Sequence, residues 1–571
     1  MKRFLILFSF MLFGRSYAQM PTPYERGNGN QSTTFEEMRA YYQELAEKYS
    51  SIHYETKGED DNNKPIDVVV FNPFGKTLEV ARKGKCILLV NNGIHPGEPD
   101  GIDATMMLMR DLATGKVKAP QNVIVVAVAS YNVSGMLNRG SFSRANQNGP
   151  EEYGFRGNAR HYDLNRDFIK TDTKNSRSFQ QIFHWVKPDV FIDNHVSNGA
   201  DYQYTFTYIS TNKERLGNLL GNYFNNNMQK TLLKDLQEKG FMSVPYVNIH
   251  NDVPDGGFPT FMDSPRYATG YTSLFNVIGT VVETHMLKPY QERVKATYDY
   301  MRCNLDFMEQ HYKEIKQKRT ENLKQYQIGD KYALAWKLDS SKYESLDFKG
   351  FEAKYKPSDV SSKDRLWYDR NAKFSKQVKL YNTYVPTKEV TIPSYYVIPQ
   401  SEWKIINLLT LNQIKMIPLK QDTVIAVEQY RIKDFKTTSS PYEGHYLHFD
   451  TSLLRESNKV NFRAGDYLVP LNQDGVKFLL ETLEPEAIDS YFNWNFFDAI
   501  LGQKEYYSAY VFEDTAAKLL KENKDLRAAF EREKMNNPKL AASSSAQLDW
   551  IYKHSPYYED SHLLYPIYRI N

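Results

Sequence analysis

The stretch CILLVNNGIHPGEPDG, residues 86–101, combines an apolar run with a turn rich in polar residues. A continuous apolar run of this length is typical of a strand that is covered on both faces. The glycines and prolines after it predict a tight turn. A turn alone does not require His95 and Glu98, which are residue types that bind metal ions. The stretch therefore predicts a buried strand whose exit carries two candidate metal ligands.

Similar apolar runs recur along the first 325 residues, and helical patterns lie between several of them. The runs are IDVVVF, CILLVNN, NVIVVAVASYN, DVFIDNH, YTFTYI and TVVETH. Buried strands that alternate with helices predict an α/β domain around a largely parallel sheet. A capping box at Thr34–Glu37 predicts the helix that opens this domain, and a long helical stretch at roughly 291–325 closes it.

The pattern changes after residue 325. Short alternating strands separated by Pro, Gly, Asn and Asp predict a β-rich accessory domain over residues 326–450. Residues 451–571 are mixed, with one amphipathic helix predicted at 514–535 and a tyrosine-rich tail. We expect this last α/β region to pack on the accessory or the catalytic domain.

The N-terminal sequence MKRFLILFSFMLFGRSYAQ has the pattern of a secretory signal peptide over residues 1–18. Two basic residues precede an apolar core, and small residues at 16 and 18 suit a signal peptidase. Export to the periplasm or the extracellular space is therefore expected. The apolar run ends at Arg15, short of the roughly 20 residues that a membrane helix needs, and no later stretch is as apolar. We therefore expect no membrane span.

The overall charge excludes one class of partner. The 571 residues carry a net charge of +3, with basic and acidic residues interspersed. Such a balance has no basic patch for nucleic acid, so no nucleic-acid partner is expected. The 42 tyrosines lie mostly in the second half and fit a β-domain with many half-buried rings. The sequence leaves the oligomeric state open.

Three predicted strand ends carry residues that suit a catalytic metal site. In open α/β sheets, ligands bind beyond the carboxyl ends of the strands. His95 and Glu98 follow one strand, and His195 ends another. Two imidazoles and one carboxylate with an open fourth position form a zinc arrangement used for catalysis. Glu283, at a third strand end, suits a general base that takes a proton from water.

A second cluster lies in GFRGNARHYDLNRDF, residues 154–168. Guanidinium groups bind carboxylates with two hydrogen bonds, and they also stabilise an oxyanion. The cluster therefore predicts an anion site, and the alternative is a solvated loop of salt bridges. Its polar residues are Arg156, Arg160, Asp163, Asn165, Arg166 and Asp167.

Four short segments, taken in order, resemble the zinc carboxypeptidase family typified by the pancreatic carboxypeptidases. The segments are HPGE at 95–98, DLNRDF at 163–168, DNH at 193–195 and VVET at 281–284. The resemblance covers roughly residues 30–315 and implies a mixed eight-stranded sheet flanked by helices, in a catalytic domain spanning 19–325. The segments YYVIP and PYEGHY resemble the β-rich C-terminal appendage of secreted bacterial members.

The same resemblance implies a role for individual residues. One zinc ion per chain would be held by His95, Glu98 and His195. Glu283 would act first as general base and then as acid. The substrate's C-terminal carboxylate would be received by Asn165 and Arg166.

The resemblance leaves two further roles open. Arg156 is the preferred arginine for polarising the scissile carbonyl, because it lies ten residues before Arg166 as in the cytosolic-type members. Arg144 and Arg160 are the alternatives. The candidates for the tyrosine that closes over the substrate are Tyr267 and Tyr271.

Some features depart from the pancreatic pattern. No activation propeptide is expected between the signal peptide and the catalytic domain. The segment HVSNGADYQYTFTYI replaces a shorter one, and its Tyr202 and Tyr204 are candidate substrate contacts. The histidines near the candidate site that have no assigned role are expected to be structural or to support its residues. They are His161, His250 and His285.

These observations favour an exported zinc carboxypeptidase that acts on peptides with a free C-terminal carboxylate. One alternative keeps the site but cleaves murein peptides as a carboxypeptidase or amidase, which export to a compartment with cell wall would allow. Another is a non-catalytic protein that binds glycans or peptides through the C-terminal region. The presence of all the central site residues argues against this last alternative. The sequence does not indicate which C-terminal residue is preferred.

Overall fold

The structure is a computed structural model that describes residues 20–250 and 252–571. The predicted signal peptide, residues 1–18, lies outside the described residues. The chain divides into two compact units. The first comprises the residues up to 325 together with 337–385, and the second comprises 326–336 together with 386–571. Among the described residues, no helix is long and apolar enough to cross a membrane.

The first unit is built around an eight-stranded mixed sheet with helices packed against it, as predicted. Its strands up to residue 285 are β1 (Ile52–Glu59), β2 (Pro65–Phe71), β3 (Cys86–Asn91), β4 (Val123–Val128), β5 (Val190–Ser197), β6 (Phe206–Ser210), β7 (Ser243–Pro245), β8 (Phe258–Pro259) and β9 (Ile278–His285). Its α-helices are α1 (Pro23–Arg26), α2 (Phe35–Lys48), α3 (Leu78–Ala81), α4 (Asp100–Ala113), α5 (Val133–Leu137), α6 (Lys174–Val186), α7 (Lys213–Leu216), α8 (Asn218–Tyr223), α9 (Gln229–Glu238), α10 (Ala268–Ser273) and α11 (Tyr290–Leu323). The 3₁₀ turns are Leu164–Arg166 and Pro254–Gly256, and a π-helix spans Phe224–Met228.

The strand order places three parallel strand ends side by side. The order across the sheet is β1-β2-β4-β3-β5-β9-β6-β7, and the run β4-β3-β5-β9 is parallel. The outer pairings β1-β2, β2-β4 and β6-β9 are antiparallel, so the sheet is less parallel than the apolar runs alone predict. Because β3, β5 and β9 are neighbours and run in one direction, their carboxyl ends meet at one edge.

The local sequence accounts for the helices and the central strands. The Thr34 side chain accepts from the Glu37 amide, and the Glu37 carboxylate accepts from the Thr34 amide, which confirms the capping box that starts α2. Every residue of β3, β4 and β5 is buried, as expected for strands covered on both faces. Helices α4, α10 and α11 pack against these central strands.

A long hairpin from the C-terminal half belongs to the first unit. After β10 (Lys331–Leu338), it consists of β11 (Glu344–Pro357) and β12 (Asp364–Tyr381), which are paired antiparallel with a register shift between Phe351 and Glu352. Its apolar side chains Phe348, Val378 and Leu380 form a buried cluster with residues of the first 260 positions, among them Tyr202. The predicted limits of the accessory domain, 326–450, therefore do not coincide with the division into units, because this apolar face needs the first unit to cover it.

The second unit contains the remaining sheets and helices, which confirms a β-rich C-terminal region. Its six-stranded sheet has the order β15-β18-β14-β19-β16-β17. The remaining strands of the chain are β13 (Tyr384–Thr391), β14 (Tyr395–Ile398), β15 (Ile417–Pro418), β16 (Thr423–Thr437), β17 (His448–Phe462), β18 (Tyr467–Pro470) and β19 (Tyr568–Ile570). The α-helices are α12 (Trp403–Leu411), α13 (Val476–Leu483), α14 (Ala509–Glu522), α15 (Lys524–Asn536), α16 (Pro538–Ala541) and α17 (Ser544–Lys553), with a 3₁₀ turn at Asp498–Leu501.

The single helix predicted at 514–535 is wrong, because α14 and α15 are separate helices. Asn523 lies between them in an extended conformation, with φ −111° and ψ 99°. Its side chain accepts from the amides of Asp525 and Leu526 and so caps the start of α15. The apolar periodicity continues across this break, which explains why the pattern alone predicts one helix.

Candidate metal centre and active-site cavity

Three buried side chains from two neighbouring strand ends converge on one point. His95 and Glu98 lie in the turn between β3 and α4, and His195 lies in β5. Each of them is 3% exposed. One potential ligand atom from each lies within 4.8 Å of the others. The structure therefore brings together the three residues that the sequence predicts as metal ligands.

The turn after β3 has a conformation that its glycine allows. Gly93 has φ +66°, and a Cβ at this position would lie 2.8 Å from the Ser130 hydroxyl oxygen. Glycine is therefore required both for the left-handed backbone and for the close approach. The Glu98 amide donates to the His95 carbonyl at 2.8 Å, which closes the turn and places both side chains on the same side.

Each imidazole is held through its second nitrogen by a carboxylate. His95 Nε2 lies 2.9 Å from Asp163 Oδ1, and His195 Nε2 lies 2.9 Å from Asp193 Oδ2. An ionised carboxylate can only accept, so these contacts place a proton on both Nε2 atoms. In neutral rings the two Nδ1 lone pairs then face each other across 3.2 Å. A cation between the rings would relieve this repulsion.

The donor set fits a zinc ion. Two imidazole nitrogens and one carboxylate are borderline-soft ligands that zinc accepts, and a cavity beside them leaves room for a further ligand. Carboxylates behind the imidazoles are the usual arrangement that fixes metal-binding histidines. The residues that would hold the ion are His95, Glu98 and His195.

The charges around this point favour an ionised Glu98. Burial alone would raise the pKa of its carboxyl group, but His95, Arg144 and His195 hold that pKa well below its usual range. Burial would likewise lower the pKa of His195, and Asp193 and Glu98 instead raise it. The cluster is therefore strongly polarised even without an ion.

Glu283 lies beside the metal ligands because of strand register. In the parallel pair β5-β9, His195 is directly opposite Glu283. The Glu283 side chain lines the same cavity as the three ligands, and burial raises its pKa to about 7. The Glu283 carbonyl accepts from the Thr207 hydroxyl at 2.7 Å, which fixes the backbone at this position. A carboxyl group of this kind can take up and release a proton near neutral pH.

Two arginines reach the candidate ligand Glu98. Arg144 Nη1 lies 2.8 Å from Glu98 Oε1, and Arg156 Nη1 lies 3.5 Å from the same oxygen. Arg156 also donates to Asp163 through Nε at 3.0 Å. Arg160, the third candidate from the sequence, does not line the described cavity. Its guanidinium donates instead to the Asp172 carbonyl at 2.9 Å. The geometry thus places Arg144 and Arg156 near the metal centre and Arg160 elsewhere.

Asn165 and Arg166 lie on another wall of the cavity. They belong to a 3₁₀ turn that Asp163 starts by accepting from the Asn165 amide at 2.9 Å. Asn165 Oδ1 accepts from the Ala268 amide at 3.2 Å, so its position is tied to the start of α10. The Arg166 guanidinium lies 4.6 Å from the centre of the Tyr267 ring.

The candidate tyrosines differ in whether they line the cavity. Tyr267 lines the cavity beside Arg166, whereas Tyr271 is fully buried and contacts His184 at 3.2 Å. Tyr202 and Tyr204 are buried in the apolar cluster under the β11-β12 hairpin and are therefore not exposed to a substrate.

The three histidines for which the sequence indicates no catalytic role, His161, His250 and His285, do not line the described cavity. His161 and His250 are exposed on the surface. His285 is buried, with Nε2 lying 2.8 Å from the Ala200 carbonyl, and burial lowers its pKa to about 4.

The cavity has a volume of about 460 Å³ and includes residues that sequence reasoning missed. Asp193, which contacts His195 from outside the cavity lining, was also missed, although its spacing of two residues from His195 on one strand places both on the same face. Tyr246, Phe261 and Asp263 come from loops whose path the sequence pattern does not reveal. The residues predicted from the sequence that line the cavity are His95, Glu98, Arg144, Arg156, Asn165, Arg166, His195, Tyr267 and Glu283.

Replacing Asp193 with asparagine is expected to weaken zinc binding by about tenfold to a hundredfold, since the loss of a carboxylate behind a metal-binding histidine has this effect. Competition with a chromogenic chelator would measure the affinity. Asp306→Asn on α11 is a matched control, because Asp306 is exposed and pairs only loosely with Arg302 at 3.9 Å. Unchanged zinc affinity in Asp193→Asn would show that the His195 contact does not support the metal.

No family model and no curated protein matches the sequence. In structure, the chain is similar to solved carboxypeptidases. A metallo-carboxypeptidase from Burkholderia cenocepacia is 12% identical, with a TM-score of 0.35, over 48% of this chain and 69% of that chain. A metallo-carboxypeptidase from Pseudomonas aeruginosa is 13% identical, with a TM-score of 0.36, over 50% of this chain and 70% of that chain. Carboxypeptidase A from Helicoverpa armigera is 13% identical, with a TM-score of 0.37, over 50% of this chain and 75% of that chain.

Proposed function

We propose that the protein is an exported zinc carboxypeptidase, which hydrolyses the last peptide bond of peptides that carry a free C-terminal carboxylate. The observation that supports this proposal is the convergence of a buried His-Glu-His cluster, a carboxylate base and several arginines on one cavity. A metal-assisted hydrolase needs a metal, a base and an oxyanion partner together. The three zinc ligands in this proposal are His95, Glu98 and His195.

The residues around the cavity divide the chemistry between them. Bound zinc would supply Lewis-acid polarisation of the scissile carbonyl and a lowered pKa for an attacking water. Glu283 takes a proton from that water and later gives it to the leaving amine. Arg156 or Arg144, both of which reach Glu98 Oε1, donates to the carbonyl oxygen as negative charge develops on it. Asn165 and Arg166 hold the terminal carboxylate and so determine which bond is cut.

The N-terminal sequence supports the exported location in this proposal. A signal peptide at residues 1–18 would be removed, and the catalytic domain would extend from 19 to about 325, with the C-terminal regions following it. N-terminal sequencing of the protein recovered from the periplasmic and extracellular fractions tests this part. A retained N-terminus in the cytoplasm would contradict it.

A peptide-library digest followed by mass spectrometry tests the activity directly. The purified mature protein is expected to hold about one zinc ion per chain and to shorten peptides one residue at a time from the C-terminus, and a chelator is expected to stop this. Murein tripeptides and tetrapeptides belong in the same panel, because cleavage of these alone would favour the cell-wall alternative. Protein that holds no zinc and leaves every substrate intact would overturn the proposal.

Replacing Arg166 with glutamine is expected to lower kcat/KM on peptides with a free C-terminus by about a hundredfold, because a charge-assisted contact to the terminal carboxylate is lost. Initial rates on one peptide with a free and an amidated C-terminus would measure the effect. Arg160→Gln is the matched control from the same loop, since Arg160 is exposed and lies outside the cavity. Equal losses in both variants would count against a carboxylate-binding role.

A further inference from the structure

A second pocket of the first unit lies next to the candidate active-site cavity. It has a volume of about 260 Å³, and none of the three candidate zinc ligands lines it. Ile209, Tyr246 and Phe261 line both this pocket and the active-site cavity. The two spaces therefore share a wall that these three side chains form.

One helical segment supplies four of the six amide side chains that line this pocket. Helix α8, the π-helix Phe224–Met228 and helix α9 follow one another without a gap. The lining residues of this segment lie three, four, seven, eight and eleven positions after Asn222, which is the spacing of one helix face. They are Asn222, Asn225, Asn226, Gln229, Lys230 and Leu233.

The buried apolar residues of the same segment explain its π-helix. Leu220, Phe224, Met228, Leu232 and Leu236 are fully buried and lie four positions apart. An α-helix completes a turn in 3.6 residues, so a strict spacing of four drifts around its axis. The wider π turn offsets this drift, and the apolar residues stay on the buried side. Turns of this kind are rare and occur frequently at functional sites.

The amide groups of the pocket offer both a donor and an acceptor. Asn212 Oδ1 accepts from the amides of Glu214 at 3.0 Å and Arg215 at 3.3 Å, so its NH₂ group is the part that can serve a ligand. Asn225 Nδ2 donates to the Gly221 carbonyl at 2.9 Å, so its Oδ1 can accept from a ligand. A hydroxyl group, which both donates and accepts, matches this combination.

The other walls suit an uncharged ring. Tyr208, Tyr246 and Phe261 line the pocket and are each partly exposed. Aromatic walls with a few convergent polar groups are typical of small-molecule pockets. The charged side chains of the lining leave a net charge of only +1, so the pocket favours neither an anion nor a cation strongly. They are Lys213, Lys230 and Glu344.

We propose that this pocket binds a neutral carbohydrate, whose hydroxyl groups pair with the amide side chains and whose ring lies against the aromatic wall. The site goes beyond the proposed peptidase activity and does not depend on it, since neither Glu283 nor a metal ligand lines the pocket. A peptide main chain is the other ligand that amides bind well, but it prefers an extended groove or a strand edge to a pocket of this size.

Ligand-observed NMR and calorimetry on the mature protein test this proposal with glucose, mannose, galactose and N-acetylglucosamine. At least one sugar should bind with a dissociation constant on the order of 1 mM, as expected for a ligand of about 12 to 15 non-hydrogen atoms. Asn225→Leu should weaken this binding about tenfold, because the hydrogen bond to the sugar is lost. Asn227→Leu is the matched control from the same π-helix, since Asn227 is exposed and does not line the pocket. It should keep the wild-type affinity.

A second variant guards against a folding defect in the first. Asn382 lines the pocket from the connection between β12 and β13, so Asn382→Ala should weaken sugar binding about fivefold while the melting temperature stays that of wild type. Failure of every sugar to bind, or equal affinity in wild type and both variants, would overturn the proposal. A capped alanine tripeptide that binds through Asn225 when no sugar does would identify a peptide site and overturn it as well.

Chelation separates this site from the proposed activity. A chelator is expected to stop peptide hydrolysis and to leave sugar binding unchanged, because no metal ligand lines the pocket. Loss of sugar binding on chelation would place the sugar in the active-site cavity and would overturn the proposal. Sugar binding through Asn225 in a protein that cleaves no peptide would support the carbohydrate site and contradict only the activity.

Discussion

Replacing Glu283 with glutamine is expected to abolish peptide hydrolysis while leaving zinc bound. Glutamine keeps the shape of the side chain but cannot take a proton from water, and loss of a general base costs about 10² to 10⁴ in rate. Glu283 lies opposite His195 in strand register and is not one of the three clustered ligands, so the ion should remain. Steady-state rates together with metal analysis of the same sample would measure both effects.

The matched control for this variant is Glu238→Gln. Glu238 is an exposed residue at the end of α9, 3.9 Å from Lys234, and is not part of the described cavity lining. It should keep full activity and full zinc content. Full activity in Glu283→Gln would mean that another group is the base. Joint loss of activity and zinc would mean that Glu283 helps to hold the metal.

Replacing His195 with alanine is expected to remove both zinc and activity. The three ligand atoms lie within 4.8 Å of one another, and two ligands alone bind zinc far more weakly than three. The removal also leaves Asp193 buried without its imidazole partner, so a lower melting temperature is expected as well. Zinc content, activity and thermal unfolding of the same preparation would test this.

The exposed His161 supplies the control for the His195 variant. His161 stacks on Phe155 with ring centres 5.9 Å apart and lies outside the cavity lining, so His161→Ala should keep zinc and activity. Chelation of wild-type protein should reproduce the loss seen in His195→Ala, and added zinc should reverse it only in wild type. Zinc binding at full stoichiometry in His195→Ala would overturn the assignment of the metal centre.

The two variants examine different steps. In the proposed function, zinc content depends on His95, Glu98 and His195, and turnover also depends on Glu283. A protein that binds zinc and cleaves only murein peptides would keep both results and change only the substrate. The measurements therefore separate the metal centre from the reaction.

The sheet could be predicted from the sequence where the strands are apolar. The runs that become β2 to β5 and β9 are recognisable because these strands are buried almost throughout. The run that becomes β6 is also recognisable, although only Phe206 and Thr207 in it are buried. The edge strands β1 and β7 were missed. The first is mostly polar and the second has only three residues, so neither has a clear apolar pattern.

The high strand content of the C-terminal half could be predicted from the sequence, but the limits of its structural units could not. Alternating strands indicate a β-rich region there. They do not reveal that the β11-β12 hairpin buries its apolar residues against the first unit, because that depends on which surface is left uncovered. The break at Asn523 was also missed, since its capping contacts compete with a helical pattern that continues past it.

By itself, the sequence determined which residue types stand at the strand ends, because apolar runs define the strands and the polar residues after them are read directly. His95, Glu98, His195 and Glu283 were identified in this way. Only the tertiary structure decided which side chains from different segments meet, since Asp163 behind His95 and Asp263 in the cavity wall reach the site through strand order and loop paths. Sequence spacing specifies neighbours along one strand, whereas contacts between strands and loops depend on how the whole chain packs.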